Sequence, residues 1–237
     1  DVGISEADMV AVSKRTDYVT GLPADDDGAG GDPGPYTAHG IYLGLAAAVR
    51  HKLGRSLNGV HVAIQGTGSV GGRLAQLLAK DGAKLTLADV NTARAEALAA
   101  ELGGTAVPAD SIMSVPCDVF SPNALGGILD STSIAALDCA VVAGGANNQL
   151  ATAEHGRELA QRGILYAPDY VLNGGGIIAV TYEYLARREG VAVSTDTIDQ
   201  KIAGIPDRLE SIWQEAESSG RSVNIVADAM ARRAIGR

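Results

Sequence analysis

The sequence predicts an α/β fold, a doubly wound and mostly parallel sheet followed by C-terminal helices. Three observations carry this expectation. Short apolar strand segments alternate with amphipathic helical segments from Val60 to Tyr166, a glycine-rich turn joins the first strand to the helix after it, and the chain beyond Gly175 is helical in period. Strands that are apolar throughout suit a parallel sheet covered on both faces.

In chain order, Ser5 to Arg15 reads as a short helix, and the acidic, glycine- and proline-rich stretch Gly21 to Pro35 reads as a loop or hinge. From Thr37 to Leu53, Ile41, Leu45, Ala48 and Val49 recur at helical spacing, with a stop near Gly54. Val60 to Gln65 is the first strand, Val70 to Lys80 a helix with Leu74, Leu77 and Leu78 inward and Gly82 after its end, and Leu85 to Ala88 the second strand. Asn91 caps a helix to Leu102, and Ala106-Val107 starts a third strand. Further strands are expected at Asp118 to Phe120, Ala140 to Val142 and Ile164 to Tyr166, with a helical segment from Thr152 to Arg162. The tail reads as helices from Gly175 to Arg188, from Asp196 to Ser218 with an interruption at Pro206, and from Ser222 to Ile235 with Ser222 as cap.

Composition narrows the classes. With 237 residues, 46% hydrophobic and 20% charged, the chain is long enough to bury a substantial core and does not fit a disordered or coiled-coil protein. Thirty glycines are nearly double the usual share of about 7%. A formal charge of −9 with no Lys/Arg cluster excludes a nucleic-acid partner. No apolar run reaches the ~18 residues of a bilayer span, and the start at Asp1-Val2-Gly3 has neither a basic nor an apolar leader region, so no membrane partner and a cytoplasmic location are expected. The missing initiator Met leaves upstream sequence open. Cys117 and Cys139 lie in apolar runs without a CxxC spacing or a nearby His, which predicts buried packing thiols and no metal site.

Chemistry enters at the first strand-helix turn. Val-His-Val-Ala-Ile-Gln runs into Gly66-Thr67-Gly68-Ser69-Val70-Gly71 and an amphipathic helix, the GxGxxG fingerprint of a Rossmann-type dinucleotide site. Gly66 permits the tight turn, Gly68 lets backbone approach a pyrophosphate, and Gly71 allows close helix-strand packing. The helix N-terminus favours the phosphate charge. Asp89, at the end of the next strand, is placed to accept from both adenosine ribose hydroxyls and to repel a 2′-phosphate, which favours NAD over NADP. Arg94 could reach such a phosphate, or be a helix-surface arginine. The plainer alternative is that Gly66 to Gly72 is only a turn and Asp89 a solvated strand-end residue.

Three polar, glycine-laced stretches each follow a strand: Ser121 to Gly127, Ala143 to Asn148 and Pro168 to Gly176. Carboxyl ends of parallel strands face the ligand crevice, so these loops are expected to line it. The amides of Asn147 and Asn173 suit a carboxamide, ribose or amino-acid ligand, and equally suit turn residues that satisfy their own backbone.

Together DVGISEADM at Asp1, PYTAHG at Pro35, the fingerprint, AGGANNQLA at Ala143 and GILYAPDYVLNGGG at Gly163 resemble the glutamate/leucine/phenylalanine/valine dehydrogenase family, in particular its branched-chain and aromatic members, over nearly the whole chain. The resemblance implies NAD-dependent oxidative deamination of leucine, valine or phenylalanine. Hydride leaves Cα for the nicotinamide, water attacks the iminium, and a 2-oxo acid and ammonia result. It implies that Asp1 works with a lysine in acid/base transfer, that Asn173 holds the substrate carboxylate or amine, and that Thr37 and Asn147 approach the nicotinamide carboxamide and ribose. Ile202 and Ile205 match positions that shape the substrate side-chain pocket, though core packing also calls for apolar residues there.

The resemblance further implies a homo-oligomer and a division into a remnant of the catalytic lobe with its hinge (1–36), an NAD-binding domain (37–190), and C-terminal helices packing back toward the substrate lobe (191–237). The chain departs from the pattern at several points. The family's two upstream lysine motifs do not occur, and Lys14, Lys52, Lys80, Lys84 and Lys201 stand in unrelated contexts. The expectation is the C-terminal two-thirds of such an enzyme, its lysine-bearing lobe coming from upstream sequence or another chain. Ile4 stands where the family has threonine, Asn123 where it has cysteine, Gly174 where it has alanine, and Pro206 at an aromatic position. The alternatives are a non-catalytic NAD-binding module and another two-domain NAD dehydrogenase with a related crevice.

Overall fold

The structure, a computed structural model, describes residues 3–23, 30–190 and 193–236. Its centre is a six-stranded sheet in the order β3-β2-β1-β4-β5-β6, every pairing parallel. The strands are β1 (His61–Gln65), β2 (Lys84–Ala88), β3 (Thr105–Ala106), β4 (Val119–Pro122), β5 (Val141–Val142) and β6 (Leu165–Tyr166). The order reverses between β1 and β4, so their carboxyl ends frame the crevice where such sheets bind ligands.

Alternation along the strands covers both faces. Val62, Ile64, Leu85, Leu87, Val119 and Val141 join one apolar cluster, while Ala63, Ala88, Phe120 and Val142 join the other. The first cluster lies under α2 (Gly34–Leu53) and α3 (Ser69–Lys80) and takes in Ile41, Leu45, Leu74 and Leu78. The second lies under a 3₁₀ turn at Ile112–Ser114, α5 (Ser131–Ala136) and α6 (His155–Gln161), supplied by Ile112, Ile134 and Leu159. Between β2 and β3, α4 (Thr92–Leu102) contributes Ala99 to the first cluster.

Ahead of the sheet stands α1 (Glu6–Ser13), capped by Ser5. After it come α7 (Asp169–Leu172), α8 (Gly174–Glu189), α9 (Thr195–Ile202), α10 (Ile205–Ser219) and α11 (Val223–Ala234). The tail helices share the first cluster through Ile198, Leu209, Trp213 and Val226. Trp213 is fully buried, and its indole donates to the Tyr166 carbonyl at 3.0 Å, tying α10 to the end of β6.

Boundaries differ from expectation where proline or capping decides. Helix α2 starts at Gly34 rather than Thr37 because Pro35 fits the first turn. Pro206 likewise stands in the first turn of α10, so the interrupted helix expected from Asp196 is two helices, and Ser194 caps the first by accepting from the Thr197 amide. Ser222 holds the cap position of α11, but its side chain makes no capping bond.

Candidate functional site at the strand carboxyl ends

At the end of β1, Gly66 turns the chain with φ 90°, and its amide donates to the Ala88 carbonyl at 2.7 Å. A methyl at Gly71 would stand 1.9 Å from the Gly66 carbonyl oxygen, so only glycine lets α3 leave the turn so tightly. At Gly68, which precedes α3 in extended conformation, an added Cβ would meet nothing within 4 Å. Gly71 is thus required for packing, whereas Gly68 leaves open space before the first-turn amides of α3. That cradle, which a side chain would fill, fits a dinucleotide diphosphate. Ser69 faces it, and its hydroxyl donates to Asp32 at 2.9 Å; Asp32 also accepts from the Gly34 amide at 2.8 Å.

Asp89 is buried rather than solvated, its side chain 4% exposed. One oxygen accepts from the Thr67 amide at 2.7 Å and the Thr67 hydroxyl at 3.1 Å, the other from the Asn91 amide at 2.8 Å, and Arg94 Nη2 reaches both at 2.8 Å. Burial pushes this carboxyl upward, but the donors outweigh it and hold the group below its ordinary value. Sequence reasoning placed Asp89 at this position; the structure adds that its oxygens are already engaged.

The three loops converge. Asn123 accepts from the Gly145 amide at 2.9 Å, joining the first loop to the second. Asn173 Nδ2 donates to Asn147 Oδ1 at 2.7 Å and to the Gly145 carbonyl at 3.2 Å, joining the second to the third. Asp169, buried at the start of α7, accepts from the Asn148 amide at 2.6 Å and the Tyr166 hydroxyl at 2.9 Å, fixing Asn148 in its left-handed conformation at φ 53°. Burial, with Asp169 beside it, pushes the Tyr166 phenol far up, so it remains a donor.

Thr37 belongs to the first turn of α2, and its hydroxyl donates to the Pro33 carbonyl at 3.0 Å. Helix α8 runs against that turn: a Cβ at Gly175 would stand 2.1 Å from the Tyr36 carbonyl oxygen, and one at Gly176 would stand 2.3 Å from the Thr37 hydroxyl. A cleft of about 940 Å³ opens here, lined by Thr37, Ser69, Val70, Gly145, Asn147 and Asn173, with Ile177 and Val180 of α8 and Met9 of α1 on its apolar side.

The structure therefore brings together Thr37, Ser69, Val70, Asn147 and Asn173, with Gly66, Thr67, Gly68, Gly71 and Asp89 forming the adjoining turn. It does not bring Ile202 and Ile205 to the cleft. Both are buried, and Ile205 packs on α2 at Gly40 and Gly44. Asp1 lies outside the described residues. Sequence reasoning missed Ile177 and Val180, whose signal was apolar residues one helical turn apart just after Asn173. It also missed Glu183, buried on α8, which accepts from the Gly21 amide at 2.7 Å and the Leu22 amide at 3.1 Å and pairs with Arg187 at 3.4 Å. Arg187 in turn donates to the Val19 carbonyl.

Comparison with known proteins identifies relatives of the same fold. The profile of the glutamate/leucine/phenylalanine/valine dehydrogenase family matches residues 86–235. A leucine dehydrogenase of Thermoactinomyces intermedius is 41% identical over 99% of this chain and 63% of its own length. An L-tryptophan dehydrogenase of Nostoc punctiforme is 38% identical over 98% of this chain and 63% of its own length. The crystal structure of the Nostoc punctiforme enzyme superposes with a TM-score of 0.85 at 35% identity, covering all of this chain and 66% of that one. A hetero-hexameric glutamate dehydrogenase of Thermus thermophilus, at 22% identity and a TM-score of 0.75, shares the fold over 96% of this chain and 60% of that one. The chain thus spans about two-thirds of the length of the proteins it matches.

Proposed function

The chain belongs to the glutamate/leucine/phenylalanine/valine dehydrogenase family, and from that premise we propose that it is the coenzyme-binding part of an NAD-dependent L-amino acid dehydrogenase acting on a branched-chain or aromatic substrate. One observation carries the reading: Asn147 and Asn173 are hydrogen-bonded to each other in the cleft that Ser69 and Val70 of the first turn of α3 also line. The same cleft thereby offers amides for phosphate at one end and carboxamide groups at the other.

When bound, NAD supplies a nicotinamide that accepts hydride from the substrate Cα. The residues of this chain do the holding. The first-turn amides of α3 seat the diphosphate, Asp89 receives ribose hydroxyls, and Thr37 and Asn147 orient the nicotinamide end. Asn173 holds the substrate carboxylate or amine, and Ile177 and Val180 present an apolar wall to its side chain. Asp1 is the proposed partner in proton transfer with a lysine from a further lobe, which completes the site by excluding water above the cleft. The working protein is proposed to be a homo-oligomer.

A second reading, a module that binds NAD and turns nothing over, is favoured by one specific observation. Among the described residues no lysine lines the cleft. The test is to measure NADH binding and NAD reduction with leucine, phenylalanine and tryptophan, for the chain alone and after adding the lysine-bearing lobe of a relative. Binding without turnover until the lobe is present supports the dehydrogenase, and binding without turnover in both cases supports the module. Turnover by the chain alone contradicts the proposed need for the lobe.

A further inference from the structure

A single carboxylate joins the first residues of two helices beside the proposed diphosphate seat. One oxygen of Asp32 accepts from the amide of Gly34, where α2 begins, at 2.8 Å, and the other accepts from the hydroxyl of Ser69, where α3 begins, at 2.9 Å. The approach is close: a Cβ at Gly34 would stand 2.5 Å from the Ser69 hydroxyl oxygen. Glycine at that position therefore lets the segment carrying Asp32 lie directly against the first turn of α3.

Charge gives this contact a consequence. Among the described residues, the charged side chains that line the cleft are Glu6 and Asp32, and no lysine or arginine joins them. For a diphosphate the cleft thus offers neutral donors, the first-turn amides of α3 and the Ser69 hydroxyl. Asp32 carries the same sign of charge as that ligand and draws on the same attractions. It takes the Ser69 hydroxyl as a donor, and it lies at the end of α3 where the helix field favours an anion. Its side chain is exposed, so it can turn to water without disturbing the core.

Resting on the reading of this cleft as a dinucleotide site, we infer that Asp32 sets the affinity of the diphosphate seat. It is a tethered anion that an incoming diphosphate displaces from Ser69, and the seat binds more weakly than its amides alone would allow. Asp32→Asn removes the competing charge while keeping the size of the side chain and an oxygen acceptor for the Gly34 amide.

Calorimetric titration of wild type, Asp32→Asn and Asp32→Glu with ADP-ribose, at about 0.05 M and about 0.5 M KCl, tests this. At low salt Asp32→Asn is expected to bind about fivefold or more tightly than wild type, and Asp32→Glu, which keeps the charge, is expected to show no such gain. At high salt the gap between Asp32→Asn and wild type should shrink to about twofold or less, because the ions screen the repulsion. Equal or weaker binding by Asp32→Asn, a gain that salt leaves unmoved, or a gain shared by Asp32→Glu would make Asp32 a merely structural tie. Any of those results overturns the inference while leaving the coenzyme site intact. Failure of every form to bind ADP-ribose overturns the site reading and the inference with it.

Discussion

Asn173 donates to Asn147 across 2.7 Å, linking the loop after β6 to the loop after β5. That bond sets the spacing of the two groups proposed to face substrate and coenzyme. Asn147→Ala leaves the Asn173 amide with only the Gly145 carbonyl, at 3.2 Å. Loss of one such bond costs about 1 kcal/mol, so NADH affinity is expected to fall about fivefold in a fluorescence titration.

Glu183 is expected to act as a strap. Its carboxylate receives two consecutive amides, Gly21 and Leu22, from the segment leading to the cleft, while Arg187 holds the Val19 carbonyl. Glu183→Ala strands both amides and should cost about 1–3 kcal/mol locally. Hydrogen exchange at Gly21 and Leu22 should accelerate roughly tenfold or more while exchange in β1 stays unchanged.

Legibility in the sequence followed the range of the interaction. The strand-helix alternation and the Gly66 to Gly71 turn are written in neighbouring residues, and the parallel sheet and cradle follow them closely. Ile202 and Ile205 show the limit: apolar spacing on α9 and α10 serves core and pocket alike, and the burial of both, with Ile205 packed on Gly40 and Gly44, is a long-range contact that the spacing does not report. Glu183, 162 positions from Gly21, depends on a contact that no local pattern reports.

Cys117 and Cys139 should be poor nucleophiles. Burial pushes the Cys117 thiol up to about 12, with Cys139 beside it adding to the rise, and burial pushes Cys139 up to about 11. A dithiobis-nitrobenzoate assay on native protein at pH 8 should show neither thiol reacting on the timescale of free cysteine. Because both folded values lie above the unfolded value of about 8.5, the unfolded chain loses these protons first. Stability should therefore be fully present below that pH and fall as pH rises through the folded values. Thermal melts should show that fall reduced in Cys117→Ala.

The glycine pair separates packing from binding. Gly71→Ala forces a methyl onto the Gly66 carbonyl and should cost about 3 kcal/mol, lowering Tm by roughly 6–12 °C. Gly68→Ala meets no protein atom and should cost less than about 1 kcal/mol, since the loss is confined to a cap position.

NADH titration of wild type and Gly68→Ala, followed by fluorescence with Tm recorded for both, tests the diphosphate seat most directly. The account predicts saturable binding to wild type that falls at least tenfold in Gly68→Ala with Tm nearly unchanged. Equal affinity in the two proteins, or no saturable binding to wild type, would contradict it.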